Sequence, residues 1–151
     1  MVTLILRCGE RGKQTLLSFP VRTPAAQDEN AAILAALKRE AVPVFIESAA
    51  SPVLNLGCYL RGIDILAEGE AERIQQLAER LEHMSEVDCD KFVGMLDANK
   101  ISGTKDILQL TEHLDDYVIL PGCSSVQSIG KYLFGCGAFP VPEKLIGYIN
   151  Y

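Results

Sequence analysis

In Ile74-Gln75-Gln76-Leu77-Ala78-Glu79-Arg80-Leu81-Glu82-His83-Met84, the apolar residues Ile74, Leu77, Leu81 and Met84 recur at intervals of three and four. That spacing predicts an amphipathic helix, with Glu72, Arg73, Glu79, Arg80 and Glu82 mostly off the apolar stripe. Downstream, Ser85 followed by Asp88 predicts the cap of a second helix with Cys89, Phe92, Val93 and Leu96 inward. Gly103 and Thr104 cap a third, with Ile107, Leu110, Thr111 and Leu114 inward. Tyr117 to Leu120 reads as a short strand, and Pro121-Gly122 as a turn. Ser124 with Gln127 fits a capping box before Val126, Ile129 and Leu133. Gly135-Cys136-Gly137 ends that helix, and Pro140 and Pro142 precede a last helical turn near Leu145 and Ile146.

Upstream the pattern is different. Val2 to Cys8 and Thr15 to Val21 read as two strands of a hairpin across the loop Gly9-Glu10-Arg11-Gly12-Lys13. Ala31, Leu34, Leu37 and Ala41 predict a helix over Ala25 to Ala41. Val42 to Glu47 and Val53 to Tyr59 read as further short strands, with Pro43 and Pro52 placing them near strand ends or a sheet edge. The fold class is therefore α+β. A small antiparallel sheet with one helix occupies residues 1–63, and an acidic helical module with a short strand-helix element occupies 64–151. The boundary falls near residues 60–68, where periodicity and charge both change.

The 151 residues are 48% apolar, enough for a packed core. No apolar run reaches bilayer length, and the N-terminus lacks a secretion signal, so a cytoplasmic location is expected. Five cysteines, an odd number with no C-x-x-C pair, predict free thiols buried as small hydrophobes. Residues 1–63 carry five acids and seven Lys/Arg, a net of +2. Residues 64–116 carry fourteen acids and five Lys/Arg, a net of −9. This balance argues against direct nucleic-acid binding, which needs a basic footprint.

Catalytic chemistry has little foothold. Cys123 lies just before an expected helix N-terminus, where the dipole favours a thiolate, but His83 and His113 stand in no partner motif. No four ligands fall at zinc spacing, and Asp88 and Asp90 around Cys89 have no third ligand in register. Gly103-Thr104-Lys105 lacks the earlier glycine of a phosphate loop. No enzyme, cofactor or metal site is expected.

The acids remain. Solvated helix faces are the ordinary reading. The functional alternative is a surface that imitates DNA, made of Glu68, Glu72, Glu79, Glu82, Glu86, Asp88, Asp90, Asp97, Asp106, Glu112, Asp115 and Asp116. A 15-residue helix is about 22 Å long. Duplex DNA of that length carries about 13 phosphate charges. Imitation therefore requires the acids to gather on one side, or a dimer to lengthen the stripe.

Glu72 through Leu81, then Phe92, then Thr104-Lys105-Asp106-Ile107-Leu108-Gln109-Leu110-Thr111-Glu112-His113-Leu114-Asp115-Asp116-Tyr117 resemble consecutive segments of ArdA-type antirestriction proteins. Pro121-Gly122, Ile129 through Leu133 and Leu145 through Tyr151 are similar to segments that follow in that family. The resemblance covers roughly residues 70–151. It implies a modular α+β protein, commonly dimeric, encoded on mobile genetic elements such as conjugative transposons. It would mimic bent DNA and occupy the DNA site of a type I restriction-modification enzyme, with no cofactor and no catalysis. The family's acids carry over to Asp106, Glu112, Asp115 and Asp116; Leu77, Leu81, Leu110, Gly130 and Tyr132 match as packing positions. Two alternatives stand beside it: a protein-interaction module of a mobile element without mimicry, and a small thiol enzyme using Cys123.

Overall fold

A computed structural model describes residues 1–9, 13–40, 42–120 and 122–139. The fold is mixed α+β. Strand β1 (Val2–Cys8) alternates strictly: Val2, Leu4, Leu6 and Cys8 are buried, while Thr3, Ile5 and Arg7 face the other way. It lies between β2 (Lys13–Phe19) and β3 (Val44–Ala50), antiparallel to both. The expected hairpin is present, with its second strand two residues earlier than read. Pro20 has no N–H to extend the ladder to Val21. Pro43 likewise moves the start of β3 from Val42 to Val44. A register shift leaves Glu47 without a partner on β1, since Ile5 pairs with Ser48 and Leu6 with Ile46.

Helix α1 (Pro24–Arg39) has Thr23 as N-cap, accepting from the Ala26 N–H, and Lys38 and Arg39 in its last turn. Its inward face is Ile33, Leu34 and Leu37; Ala31 is exposed, and Ala41 lies outside the described residues. The strand expected over Val53 to Tyr59 is instead a short helix, α2 (Leu56–Leu60). Val53, Leu56 and Leu60 are buried at intervals of three and four, and Asn55 sits at φ 63, a left-handed value that breaks an extended run. Gly57 allows α2 to approach β3: a Cβ there would stand 2.6 Å from the Ala49 carbonyl oxygen. The chain then returns along β3. Ile46 N–H donates to Ile63 O and Ile65 N–H to Val44 O, while Asp64 accepts from the Val44 and Leu66 N–H groups.

Helix α3 (Glu70–His83) buries Ile74, Leu77, Ala78 and Leu81, with Met84 half-buried at its C-cap. Helix α4 (Glu86–Ala98) starts in the Ser85–Asp88 capping box and buries Phe92, Met95 and Leu96; Cys89 and Val93 are half-buried. Helix α5 (Thr104–Leu110) buries Thr104 and Ile107, and Leu110, Thr111 and Leu114 are half-buried. A single 3-10 turn follows at Leu114–Asp116.

The chain divides into two compact units, Met1–Tyr117 and Val118–Tyr151. The boundary expected at residues 60–68 falls inside the first, where one cluster joins the sheet residues to Ile65, Ile74, Phe92 and Ile107. No strand forms over Tyr117 to Leu120, because among the described residues these β-favouring residues have no ladder to join, and Val118 and Ile119 are exposed. In the second unit, α6 (Val126–Gly135) is capped one residue later than read, by Ser125 with Ser128. Val126 is 87% exposed and Ile129 is exposed, against the expected inward stripe; Leu133 is half-buried. Glu10 to Gly12 of the hairpin loop, Pro121, and the expected turn near Leu145 and Ile146 lie outside the described residues.

Two glycines give opposite expectations. Gly57→Ala forces backbone apart and should lower stability by about 1–3 kcal/mol. Gly94→Ala, in the middle of α4 with open space around it, should raise stability by about 0.5–1 kcal/mol. Urea denaturation of both variants checks the pair.

Candidate acidic surface

Helical geometry sorts the acids of α3 and α4. In α3, Glu72 and Glu79 are seven residues apart, so they lie within about 20° of arc. They point away from the buried Ile74, Leu77, Ala78 and Leu81 stripe, and both are exposed. In α4, Glu86, Asp90 and Asp97 fall within about 40° of arc, opposite the buried Phe92 and Met95. All three are exposed. Each helix therefore carries a line of carboxylates along its outer side.

Seven of the twelve predicted acids accept an internal donor. Glu82 meets Arg22 and, at 3.6 Å, the N-terminal ammonium, which ties α3 to the edge of the sheet. Glu112 accepts from Arg80 at 2.8 Å. Arg80 also donates to Thr111 Oγ1 at 2.6 Å and to Leu108 O at 3.2 Å, so one guanidinium clamps the end of α5 to α3. Asp116 stands 2.9 Å from His113 Nδ1. Glu79 accepts from Gln75 at 2.6 Å and Asp97 from the Tyr59 hydroxyl at 2.7 Å. That hydrogen bond, more than burial, holds the Tyr59 phenol above its ordinary pKa.

Asp88 and Asp106 work as caps. Asp88 accepts from the Ser85 hydroxyl at 2.7 Å and from its N–H. Asp106 accepts from the Ser102 N–H at 2.8 Å and from its hydroxyl. Both carboxyls are held below the usual aspartate range, first by the serine hydroxyl and then by the serine N–H. Glu68, Glu72, Glu86, Asp90 and Asp115 have no side-chain partner among the described residues. These five, with Asp97 and Glu79 on the same outward lines, form the part of the predicted surface open to an external cation.

A cleft of about 530 Å³ was not legible in the sequence. Asn99, Lys100, Asp106, Gln109, His113 and Tyr117 line it from the end of α4, the start of α5 and the turn after it, and only the fold brings them together.

The thiols do not follow the expectation of burial. Cys8 is buried, Cys89 and Cys123 are half-buried, and Cys58 and Cys136 are exposed; all are free. Burial, followed by the charges of Asp88 and Asp90, pushes the Cys89 thiol up. Cys123 donates its Sγ–H to the Ser128 carbonyl at 3.6 Å. Among the described residues no three or more His, Cys, Asp or Glu side chains gather as a metal site, and no helix is long and apolar enough to cross a membrane.

The two caps set a pH dependence. A carboxyl with a lowered folded pKa stabilises above its unfolded pKa, and that stabilisation is lost as pH falls through the folded value. The melting temperature of the wild-type chain should therefore fall below about pH 4, the ordinary aspartate range. An Asp88→Asn, Asp106→Asn double variant should melt lower at pH 7 and lose less over the same acid range, as circular dichroism melts would record. Compared with family models, curated proteins and solved structures, the chain matches none.

Proposed function

We propose that this chain is an ArdA-like antirestriction protein, an anionic decoy that occupies the DNA-binding site of a type I restriction-modification enzyme. It acts by binding and not by catalysis. The outward lines of carboxylates on α3 and α4 are the observation that carries the reading. The segments that resemble the family support it, because their apolar residues Ile74, Leu77, Leu81 and Ile107 are core while Glu72, Glu79, Glu112 and Asp115 are exposed.

Magnitude sets how such a decoy works. From Glu86 to Asp97 the α4 line runs about 16 Å. Duplex DNA of that length carries about 10 phosphate charges. Three carboxylates supply about a third of them, so one line is a fragment of the mimic. The remainder comes from Glu68, Glu72, Glu79 and Asp115 and from a second copy, as the family resemblance implies.

A second reading has its own support. Seven of the twelve acids accept internal donors, which suits a protein-interaction module of a mobile element that does not imitate DNA.

Inhibition of DNA cleavage by a purified type I restriction enzyme separates them. The chain should inhibit at low salt and weaken steeply between 50 and 200 mM salt, roughly as a protein losing phosphate contacts does. Replacing Glu86, Asp90 and Asp97 with their amides should raise the half-inhibitory concentration about tenfold or more while leaving the melting temperature within a few degrees. No inhibition at large molar excess and low salt overturns the decoy reading for that enzyme class. Salt-insensitive capture of a different partner favours the second reading.

A further inference from the structure

The basic half of the chain has a feature that the acidic surface does not use. Arg7 on β1 stands opposite Phe45 on β3 in the antiparallel register, on the sheet face turned away from the core. Phe45 is 41% exposed. Beside it Arg61, at the end of α2, donates Nε–H to the Glu47 carbonyl at 3.0 Å, and among the described residues both terminal nitrogens of its guanidinium have no partner. The Glu47 carboxylate accepts from Gln14 at 2.8 Å. Among the described residues no carboxylate pairs with Arg7 or Arg61. Arg7, Phe45, Ile46, Glu47, Arg61 and Gly62 line a cleft of about 430 Å³. That volume is in the range of small-ligand pockets, about 300–1,000 Å³.

We propose that this cleft binds a nucleoside phosphate, with the base against the Phe45 ring and the phosphate between the Arg7 and Arg61 guanidiniums. Guanidinium forks match phosphate oxygens in pairs, and the two nearby carboxylates are already occupied: Glu47 accepts from Gln14, and Asp64, bridged to Phe45, accepts from the Val44 and Leu66 N–H groups. An exposed ring offers a stacking surface to any base. Among the described residues the face presents one aromatic ring; beside Phe45 stand Arg7, Glu47 and Asp64, and the rest of the face is Thr3, Ile5, Gln14, Leu16, Ser18, Ser48 and Ala50. One ring holds one base, which favours a free nucleotide over a single strand, whose successive bases each need a platform.

Amide chemical shifts of Ile46 and Gly62, followed during titration of the full ¹⁵N-labelled chain, test the site. The ligands are 5′-adenosine monophosphate, adenosine, inorganic phosphate and a thymidine decamer. The monophosphate should bind about fivefold or more tighter than adenosine or phosphate alone. Arg7→Gln should weaken it about fivefold. Arg7 has no internal partner among the described residues, so that variant keeps the fold. Phe45→Ala should erase the advantage of the monophosphate over phosphate. Equal binding of monophosphate and phosphate to the wild-type chain overturns the proposal, as does monophosphate binding that Arg7→Gln leaves unchanged. A decamer that binds where the monophosphate does not overturns it in favour of a strand-binding surface.

Discussion

Burial of one face of β1 orients the elements that pack on it within the first unit. Val2, Leu4 and Leu6 share a single hydrophobic cluster with Ile74, Leu77 and Leu81 of α3 and with Phe92 and Leu96 of α4. Each such side chain is worth about 1.5–3 kcal/mol when fully buried. An exposed charge pair contributes about 0–1 kcal/mol. Packing therefore decides how α3 and α4 are rotated, and the acids go where packing leaves them. Turning α3 by one residue, about 100°, would carry Gln75 and Glu82 toward the core in place of Ile74 and Leu81. The carboxylate lines on the outer side are a consequence of the apolar stripes on the inner one.

Contacts between elements then fix the remaining freedom. Glu82 meets Arg22 and the N-terminal ammonium, so α3 is tied to the sheet edge by charge as well as by burial. Val21 N–H donates to the Gln75 side chain at 2.9 Å, a second tie along the same seam. At the other side of α3, Arg80 holds α5 through a carbonyl, a hydroxyl and a carboxylate at once. The Tyr59–Asp97 bond joins α2 to α4. The acids that take part in these ties stabilise the scaffold and are not equivalent to the free ones, although composition counts them alike.

What the sequence made legible follows from how local each signal is. The ends of β1 could be read because its alternation is strict, and the start of α4 because Ser85 and Asp88 satisfy each other three residues apart. A short apolar run such as Val53 to Tyr59 suits a strand or a buried helical turn equally, and the left-handed Asn55 that settles the matter has no signature beyond its residue type. Ser124 and Ser125 are adjacent and each can cap, so only geometry separates them. Tyr117 to Leu120 has strand-forming residues but, among the described residues, no neighbouring strand. The outward sides of the acids were readable from helical period alone. Their partners were not, since Arg22, Arg80 and Tyr59 lie 60, 32 and 38 residues away from Glu82, Glu112 and Asp97. The cleft between Arg7 and Arg61 was hidden for the same reason.

Helix electrostatics separate the acids that folding explains from those it does not. Glu70 and Glu72 lie in the first turn of α3, Glu86 and Asp88 in that of α4, and Asp106 in that of α5. Each faces the positive end of its helix, where a carboxylate is favourable by about 0.3–1 kcal/mol. Selection for stability alone would put them there. Asp97 is placed the opposite way. It is one residue from the end of α4, whose last turn contains no basic residue, so it faces the negative end of the dipole. The Tyr59 hydroxyl offsets part of that cost, yet a neutral acceptor in the same position would take the same hydrogen bond without it. Asp90, in mid-helix and without a partner, gains little from the dipole, which falls off within the first turn. The Asp97 side chain ties α4 to α2 through Tyr59, but its charge, like that of Asp90, is not what the fold requires, so the negative charge of the line shared with Glu86 bears on function chiefly through these two residues.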